Sequence, residues 1–220
     1  MHENGRFVMV GNECRAPRDS VRSRFTFAHE LGHYFLEDHR AALISGMWAT
    51  RSLHRGSRGS LFEHEADIFA ANLLMPEERF REVEAALSGT AFDHIVGLAE
   101  VFGTSLTSTA YRALELDLFP APAAVFLWNW LGEPAGRRVS PETLWLGQDY
   151  CELTGMPPDG TLTARAIQDL KFGEQQGISQ LISWFTGLHC YDGRYNACLI
   201  EEVKSLGTHG WMTLVYGQQE

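Results

Sequence analysis

Two stretches of this chain repeat apolar side chains at the spacing of one helical face, and each carries a polar cluster within the same helix. In the first, Val21, Phe25, Ala28, Leu31, Phe35 and Leu36 predict a helix from about Ser20 to Glu37, with Asp19 or Ser20 as its N-cap. That stretch contains His29-Glu30-Leu31-Gly32-His33. In the second, Phe62, Ala66, Phe69, Ala70 and Leu73 predict a helix from about Leu61 to Met75, which contains Glu63-His64-Glu65-Ala66-Asp67. Any fold of this chain must pack two amphipathic helices that each bring ionisable side chains to the packing boundary.

The chemistry follows from helical geometry. Histidines four apart lie on one face, a turn from each other, so His29 and His33 can converge on one Zn²⁺. Glu30 is the next residue and can reach the open coordination position, where it would take a proton from bound water. A third protein ligand is then needed. Glu63 lies 30 residues beyond His33, and Glu63 and Asp67 are again four apart and share a face. One can ligate while the other accepts a hydrogen bond from a ligand histidine and fixes its tautomer. Glu65 and His64 are the rival ligands. Glu65 points to another side and reads as a solvated charge, and His64 is turned about 100° from Glu63. Gly32 either admits a close neighbour or merely weakens the helix by about 1 kcal/mol relative to Ala.

The rest of the chain reads less sharply. Residues 6–13 suggest a short strand, residues 38–60 break the helical pattern, and Arg51, Arg55 and Arg58 with their Ser and Gly neighbours read as a basic loop. Pro76 is suited to open a new helix, with Glu77 and Glu78 in its first turn. Residues 92–102 and 106–116 predict two helices broken at Gly103, with a helix-turn-helix as the alternative to simple packing. Beyond Pro120 a strand is expected over Ala123–Trp130, a loop over Glu133–Ser140, helices over 163–172 and 177–186, and an antiparallel pair from Asn196–Val203 and Trp211–Gly217. Trp128, Trp130, Trp145, Trp184 and Trp211 fall here and read first as core. The expected class is α+β: a small core of a short sheet and the two motif helices, with a β-containing extension. The domains are 1–119 and 120–220.

Charge narrows the partners. The chain has 18 basic and 28 acidic side chains, a net charge of −10, which disfavours direct nucleic-acid binding and anionic membranes. Residues 1–60 keep a small basic excess, nine against six. The four cysteines show no CxxC spacing; Cys190 and Cys198 could pair across a hairpin, though such a bridge is not the expectation. There is no signal-peptide pattern and no stretch long enough to span a bilayer, so the expected location is the cytoplasm.

Arg24-Phe25-Thr26-Phe27-Ala28-His29-Glu30-Leu31-Gly32-His33-Tyr34, followed by Glu63-x-Glu65-Ala66-Asp67-x-Phe69-Ala70-Ala71-x-Leu73-Leu74-Met75-Pro76, resembles the ImmA/IrrE family of bacterial metallopeptidases over about residues 5–118. Relatives usually carry more chain ahead of the strand that leads into the HExxH helix. The resemblance implies a cytoplasmic, gluzincin-like zinc endopeptidase acting on a protein, often a helix-turn-helix repressor or antitoxin-like regulator. It implies His29, His33 and Glu63 as zinc ligands, Glu30 as general base and Asp67 as an outer partner of a ligand. A proton donor to the oxyanion is also expected, with Tyr34, His39 and His54 as candidates by proximity. The rival reading is a non-catalytic module in which zinc holds the helices together, with Cys14 as a fourth ligand, and residues 120–220 bind a ligand or partner.

Overall fold

The computed structural model describes residues 2–3, 6–9, 17, 20–45, 57–141, 156–169, 175–185 and 198–218. The chain divides into two compact units, Met1–Ala86 with Gly97–Ser108, and Leu87–Val96 with Thr109–Glu220. The class is α+β, as the patterning predicts.

In the first unit, two short antiparallel strands, β1 (His2–Glu3) and β2 (Arg6–Phe7), precede the helices. Of the predicted strand 6–13, residues 10–13 lie outside the described residues. Helix α1 (Val21–Phe35) starts at Ser20, whose Oγ accepts from the Ser23 N–H at 3.2 Å. It ends where Leu36 turns extended, and α2 (Glu37–Ile44) follows at once. That helix corrects the expectation that 38–60 is irregular. Glu37 and Asp38 fill its first turn, where the dipole favours them, and His39 and Ala42, three apart, bury one face. Residues 46–56, which hold most of the basic loop and His54, lie outside the described residues.

Helix α3 (Ser57–Leu74) begins four residues before the expected start, and α4 (Glu77–Ala85) begins just after Pro76, which is its N-cap. The α1–α3 packing turns on small residues. A Cβ on Gly32 would stand 3.2 Å from the Ala66 Cα and 3.2 Å from the Phe69 Cβ, so the absent side chain is what lets α3 approach. Ala28, Ala66 and Ala70 are buried on the facing stripes.

Helices α5 (Ala91–Phe102) and α6 (Leu106–Glu115) each run through both units. Gly103 between them adopts φ +58° and ends α5 in a left-handed turn. Arg24 of α1 donates through Nη1 to the Phe102 and Gly103 carbonyls at 3.1 and 2.7 Å, closing the helix end that those carbonyls leave open. The one basic residue of this helix pair, Arg112, is buried and pairs with Glu115 at 3.2 Å, so it offers nothing to a phosphate. The packing reading holds there.

The second unit is built on a five-stranded antiparallel sheet in the order β4-β3-β7-β6-β5, comprising β3 (Ala124–Trp128), β4 (Pro134–Val139), β5 (Gln175–Gln180), β6 (Cys198–Ser205) and β7 (Trp211–Tyr216). The expected antiparallel pair is β6 and β7, with Val203 opposite Thr213. Two expectations are corrected. Glu133–Ser140 is not a loop: β4 pairs along β3 as an edge strand, and its half-exposed polar residues hide it from a hydrophobic pattern. Residues 177–186 are not one helix: β5 occupies Gln175–Gln180 and only α8 (Leu181–Trp184) is helical. Exposed Ile178 beside buried Ser179 inverts the usual alternation, which defeats the sequence reading. Helix α7 (Leu162–Gln168) stops short of the expected 172, and residues 170–174 lie outside the described residues.

Phe126, Trp128, Trp184, Trp211, Leu199 and Val203 form the core on one side of this sheet. Trp128 and Trp184 bury their rings while donating to Thr213 Oγ1 at 3.0 Å and Ser179 Oγ at 2.8 Å. Three of the tryptophans are therefore core; Trp130 is 40% exposed, and Trp145 lies outside the described residues. Cys198 is exposed and free; Cys14, Cys151 and Cys190 lie outside the described residues.

Neighbouring residues of β6, Glu201 and Glu202, are both buried, and they point to opposite faces of the sheet. Glu201 accepts from the Leu162 and Thr163 N–H groups at 3.2 and 2.8 Å and from the Thr163 hydroxyl at 2.7 Å. Glu202 accepts from the Ala91 and Phe92 N–H groups at 3.1 and 2.9 Å and from the Tyr216 hydroxyl at 2.6 Å. The same arrangement appears twice. Each helix has a threonine N-cap, Thr161 or Thr90, whose hydroxyl takes the third N–H, while the glutamate takes the first two. The N–H groups that α5 and α7 leave unbonded are accounted for, and helix dipoles rather than cations hold the two buried charges.

Candidate metal centre

The α1–α3 contact at Gly32 sets the site. With the two backbones this close, the residues three before and one after the contact on each helix, His29 and His33 about Gly32 and Glu63 and Asp67 about Ala66, face each other across the crossing. Helix α1 presents His29 and His33, whose side chains are 16% and 7% exposed; α3 presents Glu63 and Asp67, 56% and 47% exposed. The His29 Nε2 and His33 Nε2 atoms lie 3.0 Å apart. Glu63 Oε2 is 3.2 Å from the first, and Glu63 Oε1 is 3.7 Å from the second.

This triangle can be tested against coordination chemistry. A tetrahedral cation with bonds of about 2.0–2.1 Å spaces its ligand atoms about 3.3–3.4 Å apart. The two imidazoles meet different oxygens of Glu63, but two nitrogens and one carboxylate group converge at about that spacing, which fits His29, His33 and Glu63 as candidate ligands. Among the described residues, this is the group of histidine, cysteine and carboxylate side chains gathered closely enough to hold an ion. The rival His64 is exposed and is not in that group.

The outer partners differ between the two histidines. Asp67 Oδ1 lies 2.8 Å from His29 Nδ1, the place expected for an outer carboxylate. His33 Nδ1 meets another imidazole instead, His39 Nδ1 at 2.9 Å, and His39 Nε2 meets Glu65 Oε2 at 2.7 Å. His39 is 1% exposed and packs edge-on against the Phe62 ring. This overturns two expectations. Glu65 keeps 43% of its side chain exposed but is more than a solvated charge, because α2 folds back to bring His39 to it. His39 is no oxyanion donor, because both its ring nitrogens are engaged. Tyr34, the other described candidate, is 38% exposed and its ring lies edge-on to Phe35. No sequence spacing pointed to His39; the signal that could have found it is the acidic Glu37-Asp38 helix start followed by His39 and Ala42 on one face.

The electrostatics separate the histidines further. The hydrogen bond to Asp67 raises the His29 pKa above its ordinary value; burial opposes this, and the charges of Asp67, Glu63 and Glu30 add to it. Burial pushes His33 down to about 4, helped by the His29 and His39 imidazoles beside it. His33 is thus neutral near pH 7, the form a metal ligand requires. Glu30 is exposed, beside His29 on α1, and its charge is among those that reach the imidazole.

Residues 15–114 match the Peptidase_M78 family, the IrrE N-terminal-like domain, which bears out the resemblance to ImmA/IrrE metallopeptidases. A solved structure described as a Mycobacterium tuberculosis transcriptional regulator is similar at 18% identity and a TM-score of 0.50. The match covers 90% of this chain and 56% of that one, so this chain spans little more than half of that protein's length. At that identity the likeness is one of fold. No curated protein matches the chain. No described helix is long and apolar enough to cross a membrane.

Proposed function

From the match of residues 15–114 to the IrrE N-terminal-like domain, we propose that the chain is a zinc-dependent endopeptidase of the cytoplasm, with His29, His33 and Glu63 as metal ligands and Glu30 as general base. The observation that carries this reading is the convergence of two imidazole nitrogens and a carboxylate within 3.0–3.7 Å of one another, beside an exposed glutamate one residue along the helix. Zn²⁺ held there would act as a Lewis acid and bring the pKa of a bound water toward neutrality.

The chain's own residues supply the rest. Asp67 accepts the His29 Nδ1 proton and leaves the Nε2 lone pair facing Glu63. Glu30, exposed and next to His29 on α1, would take a proton from the attacking water and return it to the leaving amine. Glu63 closes the site from α3 with half of its side chain exposed to solvent. The substrate is a protein, and the family resemblance favours a helix-turn-helix repressor or antitoxin-like regulator. We divide the chain at 119/120, with residues 120–220 as a β-containing extension.

Incubating the full chain with the helix-turn-helix regulator encoded beside it, with and without a chelator, tests this reading. Chelator-sensitive cleavage supports it. Intact regulator in the presence of bound zinc leaves the second reading, a zinc-stabilised sensing or partner-binding module. What favours that second reading is the hydrophobic core that the second unit builds on its own sheet.

A further inference from the structure

We infer that His39 and Glu65 form a positioning relay that fixes the tautomer of His33 and aims its lone pair at the metal site before any ion arrives. This deepens the reading of His29, His33 and Glu63 as ligands and rests on it.

The argument is one of donors and acceptors. A carboxylate only accepts, so the 2.7 Å contact between Glu65 Oε2 and His39 Nε2 requires the proton on His39 Nε2. A neutral imidazole carries one N–H, so His39 Nδ1 is then an acceptor. The 2.9 Å contact to His33 Nδ1 requires the proton on His33 Nδ1. Neutral His33 is left with its lone pair on Nε2, 3.0 Å from His29 Nε2 and 3.7 Å from Glu63 Oε1. Asp67 holds the His29 Nδ1 proton in a single step, and before an ion arrives the contacts of His29 Nε2 with the His33 lone pair and Glu63 call for a second proton there, which ligation displaces. The two ligands therefore present the same face of the ring, one held directly by a carboxylate and the other through an intervening imidazole. The interposed ring is needed because His33 lies deeper than His29, at 7% against 16% exposure, while Glu65 keeps 43% of its side chain exposed. A carboxylate at the His39 position would be a charge at 1% exposure; His39 carries the polarisation out to one that stays hydrated.

The consequence for binding is preorganisation. In the right tautomer an imidazole need not rearrange to ligate, and loss of such a partner typically weakens metal affinity about 10- to 100-fold. The relay also links α2 to the site: the break at Leu36 that ends α1 is what returns His39 toward His33.

The test uses the full chain with ¹⁵N-labelled histidine. Nitrogen shifts and couplings, recorded without metal and with Zn²⁺, are expected to show His39 protonated at Nε2 and His33 protonated at Nδ1 in both states. A His39 proton on Nδ1 overturns the relay. Zinc affinity by chelator competition is expected to fall about 10- to 100-fold in His39→Leu and to fall measurably in Glu65→Ala, while His39→Asn, which offers a carbonyl oxygen near the Nδ1 position, recovers most of the loss. Wild-type affinity in Glu65→Ala, whose partly exposed position leaves the fold intact, also overturns it. If wild-type protein takes up no zinc, the ligand assignment fails while the metal-free tautomers still decide the relay.

Discussion

Gly32 of α1 lies against the backbone of Ala66 of α3, so close that a methyl group there would push the helices apart by a few tenths of an ångström. The histidines stand to either side of that contact on one helix and the carboxylates on the other. Separating the helices moves Glu63 away from both imidazoles. Gly32→Val should therefore lower stability by about 1–3 kcal/mol, the usual effect of overpacking, despite removing a helix glycine. It should weaken zinc binding as well. Denaturant unfolding and chelator competition measure both; a variant that matches wild type in each would show the crossing is not what sets the site.

Glu30→Gln should bind zinc as tightly as wild type and lose cleavage by at least about 10²-fold, the lower end of what a general base contributes. Loss of zinc along with activity would instead make Glu30 part of the binding shell.

Asp67→Ala should reduce zinc affinity about 10- to 100-fold, and Asp67→Asn, which keeps an acceptor oxygen, should lose less. Equal losses in the two variants would show that the charge matters and the tautomer does not.

In the metal-free protein, the two histidines impose opposite pH dependences. The fold lowers the His33 pKa, so its contribution to stability is complete above pH 6.5 and disappears as the pH falls toward about 4. The His29 pKa is raised, so its contribution is complete below pH 6.5 and disappears as the pH rises through the folded value. Thermal midpoints against pH should fall on both sides, and His33→Gln should flatten the acid side alone. An unchanged acid limb in that variant would refute the assignment.

Glu201→Ala should cost more than about 2 kcal/mol, because the Leu162 and Thr163 N–H groups at the start of α7 lose their shared acceptor in a buried setting. A change below about 0.5 kcal/mol in urea unfolding would mean the helix end finds water.

The two motif helices were legible because they depend on local periodicity: His29 with His33, and Glu63 with Asp67, are placed by four-residue intervals, whereas the neighbour that Gly32 admits is set by tertiary packing. The elements misread were those whose identity is set elsewhere. Strand β4 exists because β3 needs a neighbour, and the strand-then-helix split at Gln180 is set by pairing with β6. His39 escaped for the same reason. It reaches His33 only because Leu36 breaks the helix, and no interval along the chain encodes that return. Arg24, quoted only as part of a motif, turned out to seal the end of α5.

The adjacent carboxylates of β6 also determine how that strand can be threaded. Shift it by one position and one glutamate takes its neighbour's place, but Ile200 or Val203 then meets the other helix end, which has no acceptor left. Misaligned assembly of the second unit is thus penalised on one side of the sheet whichever way the strand slides, so a strand whose ends are plain in composition can be laid down in only a single alignment.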